Sequence, residues 1–105
     1  MIRIKLDAMI IVHDIFICKP GNASKLAKKF KEVMKNSSEF VQVMTDMTGQ
    51  YNRVIMVSKF DSLTAFDKSW EKMKEDTEEN RRMSEAMAGY TDMYLTGSRE
   101  IYQTW

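Results

Sequence analysis

The chain has 105 residues, of which 44% are hydrophobic and 30% charged, a composition typical of one globular domain over residues 1–105. Sixteen basic and fifteen acidic residues give a net charge of +1, so no global field attracts nucleic acid or an anionic membrane. No apolar run approaches the roughly 20 residues that cross a bilayer. We therefore expect neither nucleic acid nor a membrane as a partner.

The start of the chain and its cysteine content predict a cytoplasmic protein. The letters MIRIKLDA alternate charged and apolar residues and lack the continuous apolar core of a secretion signal. The single cysteine, Cys18, cannot form an internal disulfide, which favours a reducing compartment. In residues 1–8 the even-numbered positions are apolar and the odd-numbered positions from residue 3 are charged, which predicts a strand extension with one covered face.

The first full strand is predicted over residues 9–17, where both parities are apolar except at His13 and Asp14, which point to opposite faces. The letters KPGN then end the strand, and Asn22 is a candidate helix cap. An apolar stripe at helical spacing follows: Ala23, Leu26, Ala27, Phe30, Val33 and Met34. Lysines fill the rest of this helix; a solvated face explains them better than a contact with acidic lipid or nucleic acid.

Residues 40–60, FVQVMTDMTGQYNRVIMVSKF, contain two β-like runs joined at Thr48-Gly49-Gln50. Both parities carry large apolar residues, which favours strands that are covered on two sides. We therefore predict an antiparallel hairpin at the middle of a sheet.

A second helix is predicted to begin after Asp61-Ser62, which can act as its cap. Its pattern weakens at residues 74–77, where Asp76 with Glu79 resembles a capping box, so we predict a break and a further helix that ends near Gly89. Residues 93–105 are rich in aromatic and β-branched residues and predict the last strand. The apolar stripe of the first part of the broken helix comprises Leu63, Phe66, Trp70 and Met73.

The element order is strand, helix, strand, strand, broken helix, strand. This order predicts a ferredoxin-like α+β fold, βαββαβ, with a four-stranded antiparallel sheet and helices on one face. Two amphipathic helices can cover only one face, yet residues 9–17 and 40–60 are apolar on both. The uncovered patch would be on the order of several hundred Å², more than a monomer normally leaves exposed. We therefore predict a homodimer, most simply with two-fold symmetry.

Three segments resemble the dimeric α/β-barrel superfamily, and within it most closely the NIPSNAP-like domains: IVHDIFICKPGNASKLAKKF, SKFDSLTAFDKSWEKM and GSREIYQTW. The resemblance covers nearly the whole chain from Met9. It implies protomers that pair as a dimeric α/β barrel, with a cavity between helices and sheet or near the dimer seam. Related branches resemble antibiotic-biosynthesis monooxygenases, which oxidise aromatic substrates without metal or flavin, and haem-degrading monooxygenases.

The asparagine–tryptophan–histidine set of the haem-degrading branch has no positional match, because His13 lies in the first strand and Trp70 in a helix. We therefore predict no cofactor, with haem as the alternative. NIPSNAP-like domains supply no agreed catalytic set. The chain also lacks a phosphate loop, an HExxH helix, a CxxC pair and a nucleophile elbow, and its one histidine and one cysteine favour no metal site.

His13 and Tyr102 are the candidate catalytic residues. His13 could act as a general base or a haem ligand, because histidine titrates near neutrality; a strand histidine with one satisfied hydrogen bond explains it more simply. Tyr102 shares a face with Glu100 and could donate or exchange a proton with a substrate oxygen. Asp14, on the face opposite His13, is expected to make a local hydrogen bond, and the alternative is a buried carboxylate tuned for proton transfer.

The candidate substrate-binding residues are Tyr51, Arg53, Trp70 and Arg99. Arg99 could hold a carboxylate, whereas an Arg–Glu cross-strand pair at the dimer interface is the plainer explanation. Tyr51 and Arg53 pose the same choice. Trp70, with Phe66 and Met73, would line the inner face of its helix, as ordinary core or as the wall of an apolar pocket.

Two functions remain open from the sequence. One is a cofactor-independent oxygenase that acts with O₂ on a small hydrophobic or aromatic compound. The other is a non-catalytic dimeric module that binds an apolar metabolite or a protein partner. Convergence of His13, Arg53, Arg99 and Tyr102 on one cavity would favour the enzyme, whereas separate environments would argue against it.

Overall fold

The computed structural model describes residues 8–105, so nearly all of the predicted extension over residues 1–8 lies outside the described residues. The strands form one antiparallel sheet in the order β2-β3-β1-β4, which is the ferredoxin-like fold predicted from the sequence. A single turn of 3-10 helix, Tyr90–Asp92, precedes the last strand. The elements are β1 Ile10–Cys18, α1 Ala23–Met34, β2 Phe40–Thr45, β3 Arg53–Phe60, α2 Leu63–Met73, α3 Glu78–Ala86 and β4 Tyr94–Gln103.

The hairpin formed by β2 and β3 lies at one side of the sheet, so its predicted place at the middle is wrong for β2. β1 and β3 are the central strands, and β2 is an edge strand that pairs with β3 alone. The connection through α1 places β2 two strand positions away from β1, and β3 then occupies the position between them. A register shift between Phe40 and Gln42 marks a bulge at Val41, whose side chain is 43% exposed.

Strand register divides the side chains between two faces of the sheet, because successive residues alternate. The helix-covered face carries the even-numbered residues of β1 and β3, and the helix-free face the odd-numbered ones. In β4, Arg99 lies opposite Asp14 on the helix-covered face, and Glu100 lies opposite His13 on the helix-free face. The apolar residues of the helix-free face include Ile11, Ile15, Ile17, Ile55 and Val57. Ile15 and Val57 are buried and the other three are half-buried.

The core lies between α1 and the helix-covered face. Leu26 is fully buried and Phe30 is 6% exposed, and both pack against Cys18 and Val54. The Phe30 ring lies 5.1 Å from the Phe16 ring, centroid to centroid. The predicted stripe of α1 is therefore a core-forming face. Asn22 occupies the cap position but makes no side-chain capping hydrogen bond.

Hydroxyl side chains cap the two parts of the broken helix. Ser62 Oγ accepts a hydrogen bond from the Ala65 N–H at 3.0 Å, as the sequence predicted. Thr77 Oγ1 accepts from the Asn80 N–H at 3.0 Å, so the predicted capping box at Asp76 and Glu79 is wrong by one residue. Asp76 pairs with Arg81 instead. Gly89, with φ of +84°, follows α3 in the left-handed conformation that glycine adopts readily.

Candidate functional site

Helix α2 contributes no buried residue, whereas α1 buries Leu26 and Phe30. Its apolar stripe is largely exposed: Leu63 is 58%, Trp70 36% and Met73 54% accessible. Ala65, Phe66 and Ser69 are half-buried and mark the side of α2 that faces the sheet. The prediction that Trp70 and Met73 line the inner face is therefore wrong for Met73, and Trp70 lies on the flank of α2 toward β4.

Arg99 of β4 fills the space beside that flank. Its guanidinium carbon lies 4.7 Å from the centre of the Trp70 ring and 5.6 Å from that of Phe66. Its Nε donates to Asp14 Oδ1 at 2.5 Å. The Asp14 side chain is 16% exposed and that of Arg99 39%. We call Asp14, Phe66, Trp70 and Arg99 the Arg99 cluster.

Two interactions form the Arg99 cluster: the cross-strand pairing of Arg99 with Asp14, and the cation–π contacts of the guanidinium with two aromatic rings. Asp14 and Arg99 are direct cross-strand neighbours, so the expected local hydrogen bond of Asp14 is present. The guanidinium lies within the range of a cation–π contact with both rings. Arg99 is thus paired with Asp14 on the helix-covered face, and the carboxylate partner expected from the sequence, a glutamate, is replaced by an aspartate.

His13 and Tyr102 meet on the opposite, helix-free face. Their ring centroids are 5.3 Å apart, with the ring planes inclined by 64°. The Tyr102 hydroxyl donates a hydrogen bond to the Glu100 carboxylate. This hydrogen bond, with smaller effects from burial and from the negative charge of Glu100, raises the pKa of Tyr102 above its ordinary value. The phenol is therefore a weaker acid than an ordinary tyrosine, and its proton is held by the Glu100 carboxylate.

Arg53 and Tyr51 lie at the loop between β2 and β3. Asp46 Oδ1 accepts a hydrogen bond from the Arg53 backbone N–H at 3.1 Å, and Asp46 Oδ2 lies 3.8 Å from Arg53 Nε. The hydrogen bond to Asp46 Oδ1 closes the loop, whereas Asp46 Oδ2 and Arg53 Nε are buried and have no hydrogen-bond partner in the described residues. Tyr51 is 85% exposed and lines a surface cleft of about 370 Å³ that also includes Gly21 and Met47.

The predicted site residues therefore occupy separate environments. His13 and Tyr102 lie together on one face, Trp70 and Arg99 lie together on the other, and Arg53 and Tyr51 lie at the hairpin loop. The sequence prediction omitted Asp14 and Glu100 from the site. The contact of Asp14 with Arg99 depends on the pairing of β1 with β4, for which the sequence carried no signal beyond the parity of each residue. The contact of Glu100 with Tyr102 lies within β4, and the shared face of these two residues was predicted from their spacing.

The described part of the chain contains no group of three or more histidine, cysteine, aspartate or glutamate side chains that could hold a metal ion. Cys18 is buried, and burial raises the pKa of its thiol. A second cleft of about 480 Å³ lies on the other flank of α2, lined in part by Lys59, Lys68 and Lys72. Over residues 8–105, no helix is both long enough and apolar enough to cross a membrane.

Sheet order and helix placement define this chain as a ferredoxin-like α+β domain. A family model described as NIPSNAP matches residues 15–94, most of the chain. The chain belongs to the NIPSNAP family. Among curated proteins, none matches it.

Solved structures show the same fold at low sequence identity. A NIPSNAP family protein from Agrobacterium tumefaciens superposes with a TM-score of 0.76 and 16% identity, over 92% of this chain and 86% of the other. An uncharacterised NIPSNAP-like domain protein from Burkholderia xenovorans gives 0.74 and 13%, over 92% and 85%. A candidate antibiotic biosynthesis monooxygenase from Caulobacter crescentus gives 0.63 and 17%, over 93% and 91%. At these identities the likeness concerns the fold alone.

Proposed function

We propose that this protein is a homodimeric binding module in which each protomer takes up a small hydrophobic or aromatic molecule beside α2. The observation that carries the proposal is the exposed apolar stripe of α2, with Leu63 at 58% and Trp70 at 36% accessibility. Contiguous apolar surface of this kind marks sites of ligand or partner binding. The flat Trp70 ring and the polar Arg99 beside it suit a small ligand that needs orientation as well as burial.

The distribution of the candidate residues supports binding over catalysis. A general base has to lie within hydrogen-bond reach of the proton that it removes. His13 and Tyr102 lie on the helix-free face, whereas Trp70 and Arg99 lie on the helix-covered face. A ligand held beside α2 is therefore separated by the sheet from the proposed acid and base of its own protomer.

Dimerisation through the helix-free face completes the proposal. In the described residues, α1 and α2 both pack on the helix-covered face, while the other face carries the isoleucines of β1 and β3. A second copy with two-fold symmetry would bury these side chains against their equivalents. Sedimentation at micromolar concentration is expected to give twice the chain mass of 12.3 kDa, and a stable 12.3 kDa species would contradict the dimer.

Introduction of a charge on this face tests the same proposal. Ile55 is half-buried on β3 and lies opposite Ile15, so Ile55→Glu places a carboxylate in the proposed interface. We expect this variant to sediment as a monomer with native circular dichroism. Thr64→Glu, at an exposed position of α2, is the matched control and should remain dimeric.

Ligand binding is tested by titration of the dimer with quinol-like aromatics and with haemin, with tryptophan fluorescence and oxygen uptake recorded together. Trp105→Phe leaves Trp70 as the only tryptophan. Saturable quenching without O₂ consumption is the expected result, and Trp70→Leu should abolish the binding measured by calorimetry. Met47→Ala, at a residue that is 95% exposed, should leave it unchanged. No saturable binding of any compound would refute the binding function.

A cofactor-free oxygenase is the second candidate, favoured by the 5.3 Å approach of His13 to Tyr102. In such an enzyme the aromatic substrate supplies the electrons to O₂, and water is the co-product. Oxygen uptake that requires the aromatic compound, and that is lost in His13→Ala while the dimer persists, would replace the binding module with this enzyme.

A further inference from the structure

The geometry points to an aromatic carboxylate as the ligand, with Arg99 as the residue that binds its carboxylate group. This inference rests on the proposed function, because it names the class of molecule that occupies the site beside α2. It is carried by the position and unused donors of the Arg99 guanidinium, together with the exposed apolar side chains around it.

The contact with Asp14 uses one edge of the guanidinium. Nε donates to Asp14 Oδ1, and within residues 8–105 Nη1 and Nη2 donate no hydrogen bond. These two nitrogens form the planar fork that arginine presents to a carboxylate. Because the Arg99 side chain is 39% exposed, a ligand can reach this fork without displacing Asp14.

The guanidinium is already oriented before any ligand binds. Asp14 holds it from the neighbouring strand, and the rings of Trp70 and Phe66 lie within 4.7 and 5.6 Å of its central carbon. Fixing the side chain in advance lowers the entropy that binding has to offset. An exposed lysine or arginine without such neighbours would not provide this preorganisation.

Apolar surface lies next to the unused donors. Ile101 follows Arg99 by two residues on the same face of β4, about 7 Å along the strand, and is 43% exposed. On α2, Trp70 lies 4.7 Å from the guanidinium and is 36% exposed. A planar ring would cover these side chains while its carboxylate reaches Arg99. A carboxylate without a ring would leave them exposed, and a ring without a carboxylate would leave the fork unused.

The test compares naphthoate with its uncharged methyl ester, titrated by calorimetry into the Trp105→Phe dimer. We expect naphthoate to bind at least about tenfold more tightly than the ester, since the ester cannot form the charged bidentate pair. Arg99→Gln should weaken naphthoate about tenfold or more and weaken the ester much less, because only naphthoate loses the charged bidentate pair. Arg99→Lys, which keeps the charge but loses the fork, should give an affinity between the two.

Lys68→Gln is the matched control, because Lys68 is an exposed cation on the same helix that lines the other flank. It should leave both affinities unchanged. Equal affinity for naphthoate and ester, no effect of Arg99→Gln, or an equal effect of Lys68→Gln would each overturn the carboxylate inference while the binding module stands. If neither compound binds and the quinol-like aromatics also fail, the proposed function and this inference fall together.

Discussion

Arg99 lies directly opposite Asp14 on the neighbouring strand, and this register places its guanidinium 4.7 Å from the centre of the Trp70 ring. One side chain thus joins β1, β4 and α2 on the helix-covered face. Helix α2 has no buried residue, so this contact and the Phe60–Phe66 ring pair, 5.2 Å between centroids, contribute much of its attachment to the sheet.

Removal of the Arg99 guanidinium should loosen α2. We expect Arg99→Ala to lower the free energy of unfolding by about 0.5–2 kcal/mol, because a partly exposed ion pair and a cation–π contact are both lost. In the Trp105→Phe background, Trp70 emission should shift to the red as water replaces the guanidinium. Arg82→Ala, at an exposed position of α3, is the control. An unshifted spectrum for Arg99→Ala would show that the contact is absent in solution.

The core beneath α1 should dominate stability. Leu26 is fully buried, so Leu26→Ala should lower the free energy of unfolding by about 2–4 kcal/mol through lost burial and a residual cavity. Leu95 is 66% exposed, and Leu95→Ala should change the free energy of unfolding by no more than about 0.5 kcal/mol. Urea unfolding monitored by circular dichroism measures both variants. Similar values for the two leucines would contradict the assigned core.

The cap of α2 is the next prediction. Ser62 Oγ accepts from the Ala65 N–H, so Ser62→Ala should cost about 1 kcal/mol because this donor loses its partner. Ser62→Asp keeps an acceptor at the same position and should retain near-native stability. Thermal unfolding of the three proteins provides the comparison, and equal losses for Ala and Asp would exclude the capping role.

The phenol of Tyr102 should ionise at higher pH than an ordinary tyrosine, because it donates to the Glu100 carboxylate. Its folded pKa is raised above the unfolded value of about 10, so the stabilisation from this contact is present below that pH and is lost as pH rises through the folded pKa. Glu100→Ala should return the titration toward the ordinary value.

Phenolate absorbance, taken as the difference between the wild type and Tyr102→Phe, measures this titration. Glu85→Ala, at an exposed position of α3, is the control for the loss of one negative charge. A Tyr102 titration that does not change in Glu100→Ala would show that the hydroxyl has another partner.

The sequence by itself determined the order of elements, the break in the second helix and which residues of β1, and which of β4, share a face. These features depend on local periodicity. The stripe of α1 follows the 3.6 residues per turn of a helix, and the two-residue period of a strand places Arg99 on the face opposite Glu100 and Tyr102. Ser62 as a cap is equally local, because its hydroxyl meets an N–H three residues away.

Only the tertiary structure decided which residues share a site. β2 lies at the edge because of the crossover, Asp14 meets Arg99 across 85 residues of sequence, and Met73 is exposed because α2 rests on the sheet through Ala65, Phe66 and Ser69. Strand order, pairing register and the rotation of a helix about its axis depend on contacts between distant segments. The periodicity of any one segment is compatible with several such arrangements, so it could not select among them.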